Sequence, residues 1–363
     1  MGMALGERGK GSALLALLLC SGCGVATPAV SSEEAASRVP CPDPTTDCTQ
    51  SNGTGVYTAE GGSAFIDDTL QLMITNFVNT GSGVNFTGRY YSAPQKWWLM
   101  LPQAGVVQSA DYGGATKLLV KSVNVIDTIP EWVLEDPTTG VITNVIADKL
   151  VGLQLHINFP IPPTGKIGMY VIGFNQAVNE TGHRMVHKYN MYWRLDQPNA
   201  TNAQYCHDST GKPDMVVFEQ GLFVNPVNAA VTRDVGTENN VLLSCRLGGP
   251  ATVWWWGYPY TTTGSYFDAG LQMKRASYCA DANHYTKSGT LIHIDDSSGI
   301  EDAPINEVEA FWTPTGATCI GTLRHPELAT NWDRTCNGVA LQPCPTIAEQ
   351  TALGGTWLAD GIR

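Results

Sequence analysis

Three places in the chain combine side chains able to do chemistry. His293, Asp295 and Asp296 stand just before Ser297-Ser298-Gly299. An imidazole beside carboxylates offers an oriented base or a ligand cluster. The same run also reads as a strand entering an Asp/Ser/Gly turn, with Asp capping backbone amides, and the turn is the expected arrangement. It fails as a calcium loop, because a glycine in sixth place would put Ile294 in the first position, which needs an oxygen ligand. His183 and His187 lie four apart near Glu180, on one face of either a helix or a strand, and could hold a metal. Gly182 and the absence of a His-Glu-x-x-His pattern favour surface histidines on a hairpin instead. Trp254-Trp255-Trp256, with Tyr258 and Tyr260, is the third place. An exposed aromatic platform would stack on sugars or peptide aromatics, whereas buried rings would fill a small core, and core packing is expected. The Trp97-Trp98 pair poses the same choice.

No Gly-x-Ser-x-Gly elbow and no phosphate loop ending in Lys-Ser/Thr occurs. Triad members need not be neighbours in sequence, so a hydrolase built from His293, Asp295, His325 and Asp333 stays open as an alternative. Its condition is that the four converge in a cleft. No cofactor is implied. Composition narrows the partners: a formal net charge of −12 speaks against nucleic acid and anionic headgroups, which are reached through Lys/Arg patches.

These residues need elements to hold them. The N-terminus comes first: Arg8 and Lys10 precede the apolar stretch Ala13 to Leu19, followed by Ser21-Gly22-Cys23. A basic start, a short apolar middle and a small-residue exit form the pattern of a secretory signal over residues 1–22. Ser21-Gly22-Cys23 resembles a lipobox, which makes Cys23 the lipidation site; cleavage after Ala26 is the rival. Cys20 stands where that pattern usually has Leu. With Cys20 removed and Cys23 lipidated, Cys41, Cys48, Cys206, Cys245, Cys279, Cys319, Cys336 and Cys344 remain. An even number in an oxidising compartment suggests disulfides with unassigned pairing, and no close Cys-x-x-Cys pair is left for zinc or redox exchange.

Residues 23–56, rich in Ser, Thr and Pro, read as a tether. From 57 to 187 strands and turns alternate: Lys117 to Ile129, a turn at Asp136-Pro137-Thr138-Thr139-Gly140, Leu153 to Phe159, and Lys166 to Val178. Residues 65–78 fit a helix or a strand equally. These spacings suggest a β-sandwich or a barrel-like body. From 188 to 345 strands are expected at Lys188 to Leu195, Met215 to Val224, Val241 to Cys245, Ala251 to Trp256, Thr290 to Ile294 and Glu307 to Trp312. Residues 346–363 carry a Gly-Gly and no strong pattern and are read as a tail.

In this second region Arg275-Ala276-Ser277-Tyr278-Cys279 is followed by Asp281, Tyr285-Thr286, Gly289-Thr290 and Asp295-Asp296. Upstream stand Val241-Leu242-Leu243-Ser244-Cys245 and Trp256-Gly257-Tyr258-Pro259-Tyr260; downstream, Glu309-Ala310-Phe311-Trp312 leads through Gly316-Ala317 to Cys319. Taken in order, these elements resemble the ADYC domain of bacterial secreted proteins and lipoproteins, named for an Ala-Asp-Tyr-Cys motif. Ser277 replaces the motif's Asp. The resemblance places cysteines where this chain has Val253 and Gly270, and implies that those two pair with each other. It implies no established activity.

The expectation is therefore a mostly β protein: a sandwich-like N-terminal domain followed by a disulfide-rich β domain resembling ADYC. The function expected is non-catalytic binding or structural contact by an exported, lipid-anchored envelope protein. Its partners would be a membrane, through the N-terminal lipid, and an unknown envelope or extracellular ligand. The hydrolase and a carbohydrate-binding module using exposed tryptophans are the alternatives.

Overall fold

The computed structural model describes residues 50–51, 72–92, 97–100, 104–161, 166–181, 185–207, 213–224, 231–234, 236–246, 248–280, 283, 285–286 and 290–362. The leader, Cys23, Cys41, Cys48 and His183 lie outside them.

The chain is mostly β, as its turn-rich sequence requires. Its strands are β1 (Leu72–Asn79), β2 (Val84–Ser92), β3 (Trp97–Met100), β4 (Gly105–Tyr112), β5 (Ala115–Ile126), β6 (Ile129–Glu135), β7 (Ile142–Ile146), β8 (Gln154–Ile161), β9 (Lys166–Thr181), β10 (Met185–Leu195), β11 (Val216–Gln220) and β12 (Asn240–Cys245). Eight of them pair in the order β2-β1-β12-β11-β10-β9-β8-β4, and β4 pairs back onto β2 through Asn85↔Val106 and Phe86↔Gly105. The sheet therefore closes on itself. Closure leaves few unpaired edges, so of the two bodies the spacing allows, the chain takes the barrel-like one. β5, β6 and β7 extend from β4 and share its core, with Trp132 set edge-on against Phe77 at 4.9 Å. The Asp136–Gly140 turn joins β6 to β7 as expected, with Asp136 Oδ1 accepting from the amides of Thr138 (2.7 Å) and Thr139 (3.1 Å). Residues 65–78 resolve as strand where described, in β1.

The ring takes β11 and β12 from beyond residue 188, and β10 crosses that position, so one sheet joins the two regions. β11 and β12 are apolar on both faces because both are covered. Val216, Phe218, Val241 and Leu243 point into the barrel core, while Val217 and Leu242 point outward into two further clusters.

The outward cover is helical. Sequence periodicity suggests a strand over Ala251 to Trp256, but these residues form α1 (Gly249–Trp255), followed by α2 (Tyr260–Arg275). Val and Trp favour strands by propensity, yet Pro250 sits in the first turn of the helix, where its missing N–H costs nothing. Burial then decides: Ala251 and Trp254 pack on Val186 and Val217, and Val253 and Trp256 join the α2 cluster. Gly270 permits the close crossing of the two helices. A Cβ there would stand 2.8 Å from Val253 Cγ1 and 3.7 Å from Val253 Cβ. The second separation is that of a disulfide's Cβ atoms, so the two positions where the resemblance places cysteines face each other.

Beyond α2, β13 (His293–Asp296), β14 (Glu307–Thr313) and β15 (Leu358–Ile362) form a second sheet in the order β13-β15-β14, with Gly316–Ala317 at its edge. The C-terminal segment is thus no tail. It holds α3 (Ile347–Leu353), started by a reciprocal Thr346–Glu349 capping box, and then the central strand of this sheet. β15 is buried on both faces, which erases the alternation that marks a half-exposed strand. Three disulfides lie among the described residues: Cys206–Cys245, Cys279–Cys336 and Cys319–Cys344. They fit an oxidising environment. Among the described residues no helix is long and apolar enough to cross a membrane.

Candidate functional site

On the outer face of β11, beside Val217, stands Glu219. Its register partner on β12 is Leu242. Alternation sends Val216 and Phe218 inward and leaves Glu219 pointing out, where α1 and the start of α2 cover it. Only 1% of the residue is exposed, and neither carboxyl oxygen has a hydrogen-bond partner among the described residues. Burial alone pushes its pKa up to about 8. A buried charge without a partner is costly, so near neutral pH this carboxyl is largely protonated.

Glu219 lines a cleft of about 260 Å³. Trp254 of α1 and Tyr260 at the head of α2 form aromatic walls. Gly221, at φ 72°, matters here: a Cβ would collide with the Tyr260 hydroxyl, so glycine serves both the turn and the ring's position. Gln220 ties the floor to β5 by accepting from the Val125 amide at 2.7 Å. The rim comes from the two-residue turn between β5 and β6, where Asp127 (φ 48°) and Thr128 (φ 63°) are both left-handed. That conformation is strained for a β-branched residue. Thr128 is buried and its Oγ1 accepts the His187 amide at 2.9 Å, which holds the turn against the barrel. Glu238 completes the rim. Among the described lining residues there are three carboxyl groups and no Lys, Arg or His. The nearby cation is Arg233, 5.6 Å from the Tyr260 ring centre and paired with Asp268 at 2.7 Å.

The residues singled out from sequence are distributed as follows. His187 sits half-buried on β10, its pKa lowered by burial. Glu180, the carboxylate near the histidine pair, is taken by Arg246 through two 2.7 Å hydrogen bonds and by Lys188 at 2.7 Å. Burial pushes this carboxyl up, but the two cations outweigh it and bring its pKa to about 2. No group of three or more His, Cys, Asp or Glu among the described residues could hold a metal.

His293 and Asp295 share one face of β13, and Asp296 turns to the other, buried face. Asp296 organises the turn that follows: it accepts from the amides of Ser298 (2.6 Å) and Glu301 (2.6 Å) and from the Tyr258 hydroxyl (2.8 Å). His325 meets Thr290 Oγ1 at 2.7 Å and Glu327 at 3.1 Å, and the exposed Asp333 accepts from the Thr335 amide at 3.0 Å. Trp254 and Trp256 are buried, Trp255 is half-buried beside Arg246, and Tyr258 is buried. The three tryptophans therefore form no exposed coplanar platform, because a helix spreads consecutive side chains around its axis. Trp97 and Trp98 lie in β3.

The residues that carry the resemblance converge on one buried cluster. Ala276 ends α2 in a left-handed turn, which aims Tyr278 inward and Cys279 toward Cys336. The Tyr278 ring stacks on Trp332 (4.8 Å) and Trp312 (5.5 Å), its carbonyl accepts the Ala317 amide at 2.8 Å, and its hydroxyl donates to Glu309. Arg324 then bridges Glu309 (2.7 Å) and Asp360, and Trp312 Nε1 donates to Asp360 at 2.7 Å. Burial, then the Glu309 charge, pushes Asp360 up to about 8 against the pull of Arg324. This network is closed upon itself: each acid is held by protein donors, which marks it as scaffolding.

Sequence reasoning did not single out Glu219. The signal was present as one carboxylate inside the apolar run Met215-Val216-Val217-Phe218-Glu219, within the strand expected over Met215 to Val224.

A family model for the ADYC domain matches residues 147–326. The match takes in β8 to β12, both cleft helices and the Tyr278 cluster up to Arg324, and reaches further upstream than the motifs quoted above. No curated protein and no solved structure matches the chain.

Proposed function

For a chain that carries an ADYC domain over residues 147–326, we propose a non-catalytic binding role in the cell envelope, with the protein exported, lipidated on Cys23 and displayed on its tether. The observation that carries the binding role is the Glu219 cleft: a preformed hollow whose buried acid has no hydrogen-bond partner among the described residues. No described residue hydrogen-bonds Glu219 as a nucleophile would bond its base, and this favours binding over a nucleophile–base pair. An unpaired buried polar group in a cleft is instead completed by a ligand's atoms. Export is supported by the three disulfides and by the signal-like leader. The lipid anchor rests on Ser21-Gly22-Cys23, and outer-membrane placement on Gly24-Val25, which lack the Asp that often retains bacterial lipoproteins at the inner membrane.

Intact mass of the protein from its native envelope tests this reading. The expected mass is that of the chain from Cys23 plus lipid, with eight alkylated thiols only after reduction. A chain beginning after Ala26 without lipid would overturn the anchor, and thiols alkylated before reduction would overturn the fully oxidised state.

A further inference from the structure

We propose that the Glu219 cleft binds a primary alkylammonium group, with Glu219 as its buried counter-ion; this deepens the binding role above and rests on it. Four observations converge. Both oxygens of Glu219 are buried, and none of the described residues hydrogen-bonds either of them. Asp127 and Glu238 add two carboxylates at the rim, and among the described residues no cationic side chain lines the cleft. Trp254 and Tyr260 line the cleft, and aromatic rings attract an ammonium rather than an anion. The volume, about 260 Å³, is below that of sites for drug-sized ligands and suits a side-chain-sized amine.

A primary ammonium has three N–H donors, enough to meet both oxygens of Glu219 and one rim carboxylate. A neutral sugar hydroxyl could also donate, but it would bring no counter-charge to the rim carboxylates of Asp127 and Glu238. Arg233 does not fill the role, because it pairs with Asp268 at 2.7 Å, lies over the Tyr260 ring and is not among the described lining residues.

Proton linkage makes the claim testable. Near pH 7 the free protein keeps a proton on Glu219, and an incoming ammonium displaces it to solvent as the carboxylate pairs with the cation. The groups around Glu219 that could share this titration are Asp127, Glu238 and Tyr260 of the lining, with Arg233 and Asp234 beyond Tyr260.

The experiment is calorimetric titration of the full mature protein with butylammonium chloride, repeated with Nα-acetyl-lysine N-methylamide. Each is measured in two buffers of different ionisation enthalpy at pH 6 and pH 7. The expected result is saturable binding that releases about one proton and tightens by about tenfold from pH 6 to pH 7. E219Q should weaken it at least about tenfold. Binding of butylammonium alone identifies a free small amine as the occupant, and tighter binding of the lysine derivative identifies a lysine side chain. E219Q removes a strained buried acid, so it should fold; its near-UV circular dichroism is compared with wild type. Should that variant misfold, carboxyl carbon NMR of the wild-type protein decides, by whether butylammonium moves the Glu219 titration from near 8 to well below 7. Absence of binding, binding without proton release, or equal binding by folded E219Q would overturn the proposal. The mass measurement above is untouched by any of these results, so failure here and failure of the export and lipid reading remain distinguishable.

Discussion

The barrel side of the molecule and its disulfide-rich side each bury carboxyl groups, and they treat them differently. Glu309 and Asp360 are enclosed with Arg324, Tyr278 and Trp312, and protein donors reach both acids. Glu219, buried to the same degree, faces a cleft in which no cation lies among the described lining residues, and none of the described residues hydrogen-bonds its carboxyl. Burial pushes Asp360 and Glu219 up alike, to about 8, so desolvation does not distinguish a structural acid from a site. Partnership does. A satisfied network contributes specificity to its own fold, whereas an unsatisfied group at a cleft is completed from outside.

The largest test of this contrast is Arg324→Met. It removes the cation between two buried carboxylates and should cost about 3–5 kcal/mol in urea-induced unfolding. A loss under about 1 kcal/mol would dissolve the distinction.

The layer between the two settings can be probed with V253C together with G270C. The pair should oxidise spontaneously and stabilise the fold by about 3 kcal/mol, through a closed loop of ordinary length. Non-reducing mass spectrometry shows whether the bond forms, and unchanged amine binding would show that the α1 wall is already fixed.

E219Q isolates the unpartnered acid. A carboxyl whose folded pKa is raised binds more protons folded than unfolded, so its contribution to stability falls as pH rises from about 4.5 to about 8. Across that window wild type should lose about 1.4 kcal/mol per pH unit relative to E219Q. Asp360 has the same sign in both proteins and cancels from the difference. Parallel pH profiles for the two proteins would place Glu219 in water.

The smallest effect belongs to Tyr278→Phe, which keeps the ring stack and deletes the hydroxyl on Glu309. A loss of about 1–2 kcal/mol is expected in the same unfolding assay. A neutral result would mean that the stacking and the Cys279–Cys336 bond alone fix the motif.

How much of this could be read beforehand differs by region. The hairpin at Asp136–Gly140 was legible from its turn residues and β5 from its alternation of buried and exposed positions, although the expected run Lys117 to Ile129 passed over the Asp127-Thr128 turn that ends β5. α1 was not, since Val and Trp speak locally for a strand while the uncovered outer faces of β11 and β12 demanded a lid. β15 was hidden for the related reason that a strand buried on both faces shows no alternation. The site divided the same way. Asp296 was legible as a turn cap from the Ser-Ser-Gly that follows it, and Tyr258 and Tyr260 were noticed as aromatics. Glu219 passed unremarked inside an apolar run.

What the sequence determined by itself is local or compositional: a leader-like start, an even set of cysteines, β-rich punctuation, and the ordered elements of the ADYC resemblance. These depend on residue type and short spacing, which the chain carries wherever it folds. What only the tertiary structure decided depends on residues far apart in the chain. β4 meets β2 to close the barrel, Arg324 lands between Glu309 and Asp360, and a turn from β5, two aromatics from α1 and α2, and Glu219 come to surround one hollow. Whether a carboxyl finds a partner is set by what the fold brings within about 3 Å of it, and no window of sequence contains that distance.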